Sequence, residues 1–362
     1  MMNLIKSCAR MIRNSEIVWE IRETMKEDYH GYKKAYIHAK NNGLKIDECW
    51  NFIRWIYVLI RYGASAKEYF LYEFYKKNMY EINTYVTRRR RYWFMKQLNE
   101  GTYRKPVEDK VLFSKMFAEF TKRKIIDGNA IESQEFFKLI NSDGEGKRWI
   151  VKPREGYDGK DIFVFTATKD KGEMQKIYKK IYGKGYVIEE YVKQIGKLHD
   201  LNPQTVNTIR VNVLNWQDTL FVVNAFLRIG QGGEQCVDNF HAGGVVAAID
   251  LQSGIVTYGA TDLDMHYYVF HPITKLQILG TCIPRWDEVL DIVKKAALKV
   301  ADVPYTSWDV MVSEDRVLII EGNTYGDTEL QQVSDKIGKW KIYKDFTRKV
   351  IMDRKRLKKS HE

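Results

Sequence analysis

The sequence predicts an α+β protein in which a helical N-terminal segment precedes a body of mixed strands and helices. Between Ile17 and about Leu98, apolar and aromatic residues recur every three or four positions, and Gly and Pro are rare. From residue 149 onward, short β-type runs follow one another, and only residues 286–300 return to a helical period. A chain of 362 residues also exceeds the usual ~100–200 residues of one domain, so two units are expected.

The helical segment is expected to contain about four helices and to end near residue 104. Asn99-Glu100-Gly101 and Pro106 interrupt the helical pattern there, and such residues commonly mark a loop. We therefore expect a basic helical segment over residues 1–104, a main domain over 105–338, and a basic C-terminal helix or tail over 339–362.

The main domain is predicted to contain strands, hairpins and two helices. Residues 286–300 are predicted to form a helix, because Asp287 and Glu288 lie in its first turn and lysines lie late, as the helix dipole favours. A shorter helix is predicted from Val111 to Phe120. The predicted strands are Trp149–Val151, Ile162–Phe165, Gly185–Val192, Val206–Leu214 and Leu220–Ile229, followed by a hairpin of Val245–Ile249 with Gly254–Tyr258 and a last hairpin over Trp308–Asn323.

Positive charge is concentrated at the two ends of the chain. Residues 1–104 hold 20 Lys and Arg against 11 Asp and Glu, residues 339–362 hold 10 against 3, and the middle has a net charge of −4. A nucleic acid is therefore not expected as a substrate, because its enzymes carry positive charge around the active groove. Aromatic residues accompany the basic ones, as in Arg88–Phe94, and this mixture suits an anionic membrane surface or membrane-bound glycan machinery. Solvated helix faces with snorkelling arginines are the alternative interpretation.

A cytoplasmic location is expected, with peripheral contact at the inner membrane surface if the basic ends bind lipid. The apolar run Trp50–Ile60 contains Arg54 and is shorter than the ~18 uncharged residues of a membrane span. The first fifteen residues lack the apolar core of a secretory signal. The four cysteines lie at least 41 residues apart, which indicates reduced thiols and no zinc site.

The last predicted hairpin carries oxygen ligands on one face. With a turn centred on Asp315, Asp309 lies directly opposite Glu321, and Asn323 shares the face of Glu321. Two carboxylates and an amide are hard oxygen donors that suit Mg²⁺ bound together with phosphates. Gly322 is interpreted as a position of close ligand approach. The alternative is an exposed hairpin face that is acidic without a ligand.

A lysine at the end of a strand precedes a loop with two glycines in Lys152-Pro153-Arg154-Glu155-Gly156-Tyr157-Asp158-Gly159. The Lys152 ammonium can contact one phosphate while backbone N–H groups near Gly156 and Gly159 bind others. The pattern lacks GxxxxGK[ST] and is therefore not a P-loop. An ordinary glycine-containing hairpin would look the same, so this motif alone leaves both interpretations open.

Taken together, these motifs resemble the ATP-grasp superfamily over residues 105–335. The resemblance implies a fold of two α+β subdomains that grip ATP, with Lys110 and Lys152 on its phosphates and Asp309, Glu321 and Asn323 on Mg²⁺. The run Val187–Val192 resembles the hinge that holds adenine. Its Glu189 would accept a hydrogen bond from the exocyclic amine of adenine, and Glu190 is the next residue. The backbone at Val192 would contact the adenine ring. The carboxylate that usually binds the ribose is not obvious after this hinge, and Asp200 is assigned to that role.

Three later segments resemble the branch called sugar-transfer associated ATP-grasp proteins, met in cell-surface polysaccharide gene sets. They are Val206–Val211, Phe226–Gly230 and Val237–Gly244. Arg210 and Arg228 lie in otherwise apolar strands, where an unpaired guanidinium is costly to bury, so each is expected to meet an anion. The resemblance gives them the γ-phosphate of ATP and a carboxylate that becomes an acyl phosphate. A structural salt bridge is the alternative for both.

The reaction that this resemblance implies is an ATP-dependent carboxylate–amine ligation, or ligation to another nucleophile, through an acyl phosphate. ATP and Mg²⁺ are the expected cofactors, and the expected substrates are small or glycan-linked carboxylates and amines used in surface polysaccharide assembly. Two alternatives stay open. One is a phosphotransferase that phosphorylates a hydroxyl, and the other is a non-catalytic nucleotide-binding partner of a membrane glycosyltransferase.

Overall fold

The computed structural model describes residues 29, 31–41, 43–142, 146–155, 161–231, 240 and 243–360. The chain divides into two compact units. We call Met1–Gln97, Asp264–His266 and Asp327–Glu362 the helical unit, and Leu98–Leu263 with Tyr267–Gly326 the sheet unit. The domain boundaries expected near residues 104 and 338 remain a prediction, because this division by contacts does not test them. Among the described residues, no helix is both long and apolar enough to cross a membrane.

The helical unit has more helices before residue 100 than the four expected. Within the described residues, this stretch contains five α-helices and a 3-10 turn, and the part of the predicted helical segment from residue 17 to 28 lies outside them. Short capped helices explain the difference. Ser65, three residues after Tyr62, forms a capping box with Glu68, so a new helix begins directly after the previous one. The helices of this unit are 31–41, Glu48–Tyr62, Ala66–Leu71, Met79–Ile82, Arg88–Asn99, Thr328–Val333 and Trp340–Ser360, with the 3-10 turn at Phe74–Lys76.

Aromatic side chains form much of the core of the helical unit. Tyr32 stacks on Trp55 at 4.9 Å between ring centroids, and Phe94 stacks on Tyr343 of the C-terminal helix at 4.5 Å. The Gln332 side chain accepts from the Val86 backbone N–H at 2.7 Å and donates to the Val86 carbonyl at 3.0 Å. The basic C-terminal segment is therefore a helix that packs with the N-terminal helices.

The smaller sheet of the sheet unit is antiparallel, with strand order β1-β4-β2-β3. Its strands are Ile125–Asp127 (β1), Arg148–Pro153 (β2), Phe163–Thr166 (β3) and Tyr186–Glu190 (β4). Helices Ser133–Ser142 and Lys171–Ile181 share a core with this sheet, in which Phe136, Trp149 and Ile181 are fully buried. Neither these helices nor β1 was predicted from the sequence.

The larger sheet is also antiparallel, with strand order β11-β10-β5-β6-β7-β8-β9. The expected hairpin of 245–249 with 254–258 is reduced to one bridge, Ile249 to Val256, because the main neighbours of β7 are β6 and β8. Its strands are Thr208–Trp216 (β5), Thr219–Ile229 (β6), Val245–Ile249 (β7), Ala260–Thr261 (β8), Tyr267–Tyr268 (β9), Tyr305–Val312 (β10) and Val317–Asn323 (β11).

The two faces of the larger sheet differ in polarity. Helix Trp286–Lys299 packs on β5, β6, β10 and β11, and the strand residues on that side are buried apolar residues such as Ile209, Leu227 and Val310. The opposite face carries charged side chains, including Arg210 and Asp309. The expected helix over 111–120 is interrupted at Phe117. The shorter helices of this unit are Lys105–Glu108, Lys110–Met116, Ala118–Thr121 and Lys197–Leu201.

Candidate nucleotide and metal site

The β10–β11 hairpin brings Asp309 directly opposite Glu321, as the sequence predicted. The pairing of Val312 with Val317 alone would put Ile320 opposite Asp309. A bulge after Asp309 shifts the register by one residue and restores the predicted pair. Asn323 lies two residues beyond Glu321 and so shares its face.

Asp309 is buried beside two arginines, one on the adjacent strand β5 and one on the next strand, β6. Arg210 on β5 is its register partner and binds both carboxylate oxygens through Nε and a terminal nitrogen, the second contact at 2.6 Å. Arg228 on β6 contacts Oδ2 at 2.9 Å. Burial alone would raise the pKa of Asp309, but the two guanidinium groups hold that pKa well below its usual range.

Glu321 is in a different electrostatic position from Asp309. Burial, the charge of Asp309 and a hydrogen bond with Asp309 raise the pKa of Glu321, although Lys152 acts in the opposite direction. A cation placed between the two carboxylates would favour the ionised form of Glu321. Within the part of the chain that the structure describes, the buried Nδ2 of Asn323 has no hydrogen-bond partner. The carboxylates of Asp309 and Glu321 and the Oδ1 of Asn323 are hard oxygen donors that fit Mg²⁺, whereas the Nδ2 of Asn323 is a donor that fits an anion such as a phosphate oxygen.

Gly322 has a packing role, which corrects the sequence-based interpretation. A Cβ at this position would lie 2.8 Å from Val107, 2.9 Å from Trp308 and 3.2 Å from Phe113. These are core residues on the side of the strand opposite Glu321. Glycine is therefore required by close packing against the apolar core and not by approach of a ligand.

The smaller sheet contributes a buried cluster around Glu189. Lys152 on β2 contacts Oε2 of Glu189 at 2.9 Å, and Arg123 contacts the same oxygen at 3.0 Å. Arg123 also donates to the backbone carbonyls of Ile319 and Ile320 on β11, each at 2.8 Å. Burial alone would raise the pKa of Glu189, but Lys152 and Arg123 lower it to about 2.

Lys110 begins the helix Lys110–Met116 and lies in the same electrostatic environment. Burial lowers the pKa of Lys110, and the positive charge of Lys152 lowers it further, whereas the negative charges of Glu321 and Glu189 raise it. Asp109 caps this helix by accepting from the backbone N–H groups of Val111 and Leu112 at 2.9 and 3.0 Å. The first residue of the helix is thereby fixed beside the two sheets.

Arg154 connects this helix to the smaller sheet. It contacts Asp109 at 2.8 Å and Asp127 on β1 at 3.0 Å. Arg123, Asp109 and Arg154 were not assigned to the site from the sequence. Asp109 does have a sequence signal, since a carboxylate directly before a helix commonly acts as its N-cap. Arg123 has none, because its partners lie 66 and about 196 residues away.

The remaining predicted residues have diverse surroundings. Glu190 accepts from the Lys124 backbone N–H at 3.2 Å and from Lys147 at 3.1 Å, so its carboxylate has structural partners. Val192 follows β4 and is half-buried, and Asp200 is exposed on the helix Lys197–Leu201. Gly156 and Gly159 lie outside the described residues. The nucleotide roles given to all of these residues stay predictions.

The arrangement combines a carboxylate pair with an excess of positive charge. Five cationic side chains adjoin three carboxylates of one unit: Lys110, Arg123, Lys152, Arg210 and Arg228 beside Glu189, Asp309 and Glu321. Such a site can bind a polyanion together with a divalent cation, because the metal neutralises the carboxylates and the cationic side chains contact the anion. A nucleoside triphosphate has that chemistry.

Comparison with known proteins gives one family and a set of similar structures. A family model described as sugar-transfer associated ATP-grasp matches residues 88–346. No curated protein sequence matches the chain.

Among solved structures, the D-alanine-D-alanine ligase from Coxiella burnetii is similar at 10% identity and a TM-score of 0.43. That match covers 70% of this chain, and this chain spans 60% of the length of that ligase. Biotin carboxylase from Campylobacter jejuni matches at 14% identity and a TM-score of 0.39, over 65% of this chain and 47% of the other. An L-amino acid ligase from Bacillus licheniformis matches at 13% identity and 0.37, over 65% and 44%.

Proposed function

Because this chain belongs to the sugar-transfer associated ATP-grasp family, we propose that it is an ATP-dependent ligase acting through an acyl phosphate. Its substrates would be a carboxylate and an amine, or another nucleophile. The observation that carries the proposal is the charged face of the larger sheet, where Asp309, Glu321, Arg210 and Arg228 converge within reach of the charge of Lys152.

Each group in this cluster has a chemical task in such a reaction. Asp309, Glu321 and Asn323 would hold Mg²⁺, which when bound neutralises the phosphate oxygens of ATP. Lys110 and Lys152 would contact those phosphates, and Glu189 would keep Lys152 oriented through the ion pair at 2.9 Å. The hinge Val187–Val192 would bind adenine, and Asp200 would bind the ribose. These nucleotide roles rest on the family resemblance.

The reaction needs positioning and charge stabilisation more than a protein nucleophile. A substrate carboxylate oxygen attacks the γ-phosphorus, the bond to the β–γ bridging oxygen breaks, and ADP leaves. The amine nitrogen then attacks the acyl carbon, loses a proton, and displaces inorganic phosphate. Arg210 and Arg228 would stabilise the negative charge that develops on the transferring phosphoryl group and on the acyl oxygen.

The description of the family supports a place in glycan assembly. For the carboxylate substrate we propose a sugar acid or an amino acid. The group that accepts the phosphoryl group would lie beside two arginines on one face of the sheet. A neutral or cationic group would be poorly suited to that position, whereas a carboxylate matches the geometry of the guanidinium groups.

The experiment is a two-stage product assay with the full chain, ATP and Mg²⁺. In the first stage, pools of carboxylic acids are supplied with hydroxylamine, which converts any acyl phosphate into a hydroxamate regardless of the natural amine. In the second, the acid identified is combined with pools of amines, and ADP, phosphate and the condensed product are quantified. The Glu321→Gln variant is the matched inactive control.

The expected result is a hydroxamate, with ADP and phosphate formed in equal amounts. ADP formed with a phosphoester and no free phosphate would show the phosphotransferase reaction instead. Nucleotide binding without ADP formation in any pool would favour the non-catalytic alternative and overturn the proposal.

A further inference from the structure

One face of the helix Glu48–Tyr62 in the helical unit is apolar and exposed. Trp50, Ile53, Tyr57 and Ile60 follow one another at three- and four-residue spacing and so share one side of the helix. Their exposed fractions are 69, 46, 51 and 51%. Single exposed apolar residues are common, but four on one stripe of a helix indicate an interaction surface. We call these four side chains the apolar stripe.

The opposite side of the same helix accounts for its place in the fold. Asn51, Trp55, Val58, Leu59 and Tyr62 are its buried residues, so the helix is already anchored to its unit without the apolar stripe. The Asp47 side chain accepts from the Cys49 and Trp50 backbone N–H groups at 2.9 and 3.1 Å, which fixes the start of the helix. The apolar stripe therefore adds nothing to the core of the unit.

Positive charge borders the apolar stripe. After Glu48, the charged residues of this helix are Arg54 and Arg61, and Arg61 is exposed beside Ile60. Arg89 donates to the carbonyls of Leu59 and Ile60 at 2.7 and 3.1 Å, which adds a second guanidinium at the C-terminal end of the helix. No acidic residue occurs between residues 49 and 67 of the sequence.

We propose that the apolar stripe docks the protein on an anionic lipid bilayer. Trp and Tyr are the residues that favour the headgroup region, and the exposed Arg61 at the border would meet anionic lipid headgroups. A second copy of this chain fits less well. The stripe of a 15-residue helix covers roughly 22 by 10 Å, far below the ~800 Å² per partner of a stable interface.

Vesicle binding by the full chain tests this proposal. Flotation would compare vesicles of phosphatidylcholine alone with vesicles that contain ~30% phosphatidylglycerol. The test variant is W50Q/Y57Q, and the matched control is Y103Q/Y182Q, which removes two exposed aromatic residues of the sheet unit. Melting temperatures of both variants establish that they are folded.

We expect wild type and Y103Q/Y182Q to bind the anionic vesicles, and W50Q/Y57Q to bind at least about tenfold more weakly. Insertion is measured separately with brominated lipids, which quench tryptophan fluorescence on contact. Because the chain has nine tryptophans, the quenched signal is compared with that of Trp50→Phe, which should lose most of it while still binding.

Three outcomes would overturn the proposal: no binding of wild type to anionic vesicles, equal binding by the two double variants, or quenching unchanged in Trp50→Phe. A dimer that W50Q/Y57Q dissociates, without vesicle binding by wild type, would assign the apolar stripe to self-association instead. Arg61→Gln should weaken anionic binding and Arg61→Lys should restore it, and no rescue by lysine would argue against a role for this charge.

Discussion

The two acidic residues of the hairpin differ in what keeps them charged. Asp309 has its negative charge stabilised by Arg210 and Arg228, which lower its pKa. Glu321 lies beside that charge and has a raised pKa, so its ionised form depends more on an added cation. A metal site in which one carboxylate is fixed and the other responds to the cation follows from these two environments.

Glu321→Gln should therefore remove turnover while preserving the fold. The substitution removes one ligand charge without changing size, and it also removes a carboxylate that is repelled by Asp309. We expect kcat to fall by at least about 100-fold and the melting temperature to stay the same or rise. Glu314→Gln, at the exposed turn of the same hairpin, is the matched control and should behave as wild type. Undiminished turnover in Glu321→Gln would remove this residue from the metal site.

Arg228 and Arg210 contact Asp309 in different ways. Lysine substitutions at these two positions should therefore distinguish an effect on catalysis from an effect on stability. Arg210 binds the carboxylate through two nitrogens, whereas one nitrogen of Arg228 reaches it at 2.9 Å. A lysine can keep a single contact but not a two-point contact. Arg228→Lys should therefore melt close to wild type, and Arg210→Lys should melt at a lower temperature.

In steady-state assays, Arg228→Lys should lower kcat by roughly 10²–10³-fold with little change in KM for ATP, if Arg228 acts on charge that develops in the transition state. The measurements are kcat, KM and melting temperature on both variants. A normal kcat combined with a lower melting temperature in Arg228→Lys would leave this residue a salt-bridge partner only.

Among the structural elements, the end of β6 is fixed by a buried histidine. His271 is 1% exposed, and its Nε2 lies 2.9 Å from the carbonyl of Gly230, directly after Arg228 and Ile229. Its Nδ1 accepts from the Thr274 backbone N–H at 3.2 Å, which requires the neutral ring. Burial lowers the pKa of His271. The hydrogen bond to Gly230 partly offsets this effect, and the positive charge of Lys275 lowers the pKa further.

Stability should consequently fall with acidification through this residue. Because the folded pKa lies below the unfolded value of 6.5, the unfolded chain binds the proton first as the pH falls below 6.5. The loss is at most about 1.4 kcal/mol per pH unit. Urea unfolding at pH 7.5 and 5.5 measures it. His271→Gln, which keeps a donor near the Nε2 position, should be less stable at pH 7.5 but lose less on acidification. Equal losses in both proteins would contradict the assignment.

Local patterns predicted the elements of the sheet unit better than the contacts between them. The β5, β6, β10 and β11 strands were predicted from runs rich in β-branched and aromatic residues, and the helix over 286–299 from its helical period and the placement of its charges. The strands β1, β8 and β9 were missed because they have three residues or fewer, too few for a period to be recognised. The helices Ser133–Ser142 and Lys171–Ile181 were missed as well, although they are long enough to show a period.

Two details of the β10–β11 hairpin show which features of the site could not be predicted from the sequence. The opposition of Asp309 and Glu321 was predicted correctly, but it depends on a bulge that no residue pattern announces. Gly322 was interpreted as a ligand contact because the sequence does not reveal which face of β11 packs on Phe113 and Trp308. Arg123 and Arg154 were not predicted as site residues, because their partners are distant in sequence and become neighbours only through folding.

At the scale of the whole chain, the positive charge of the two ends has more than one function. In the run Arg88–Arg91, Arg89 binds the carbonyls of Leu59 and Ile60, and Arg90 donates to the Asn83 and Tyr85 carbonyls at 2.8 Å. These two arginines are therefore structural, and replacing all four together would test stability as well as location.

The C-terminal helix offers a cleaner test of the basic ends. The buried residues of Trp340–Ser360 reach no further than Val350, and residues 355–360 are exposed. Lys355, Arg356, Lys358 and Lys359 lie in this last part, so their replacement by Gln removes charge without removing core contacts.

This quadruple variant should bind anionic vesicles more weakly, by about 1 kcal/mol for each charge that reaches the surface, and the difference should shrink as salt rises. A matched control removes four exposed lysines of the sheet unit, Lys171, Lys176, Lys179 and Lys184, and changes the net charge equally. Flotation at low and high salt measures binding, and turnover of soluble substrates should be unchanged in both variants. If net charge alone attracted the protein to lipid, the two variants would weaken equally; a loss confined to the C-terminal variant would assign the attraction to this helix.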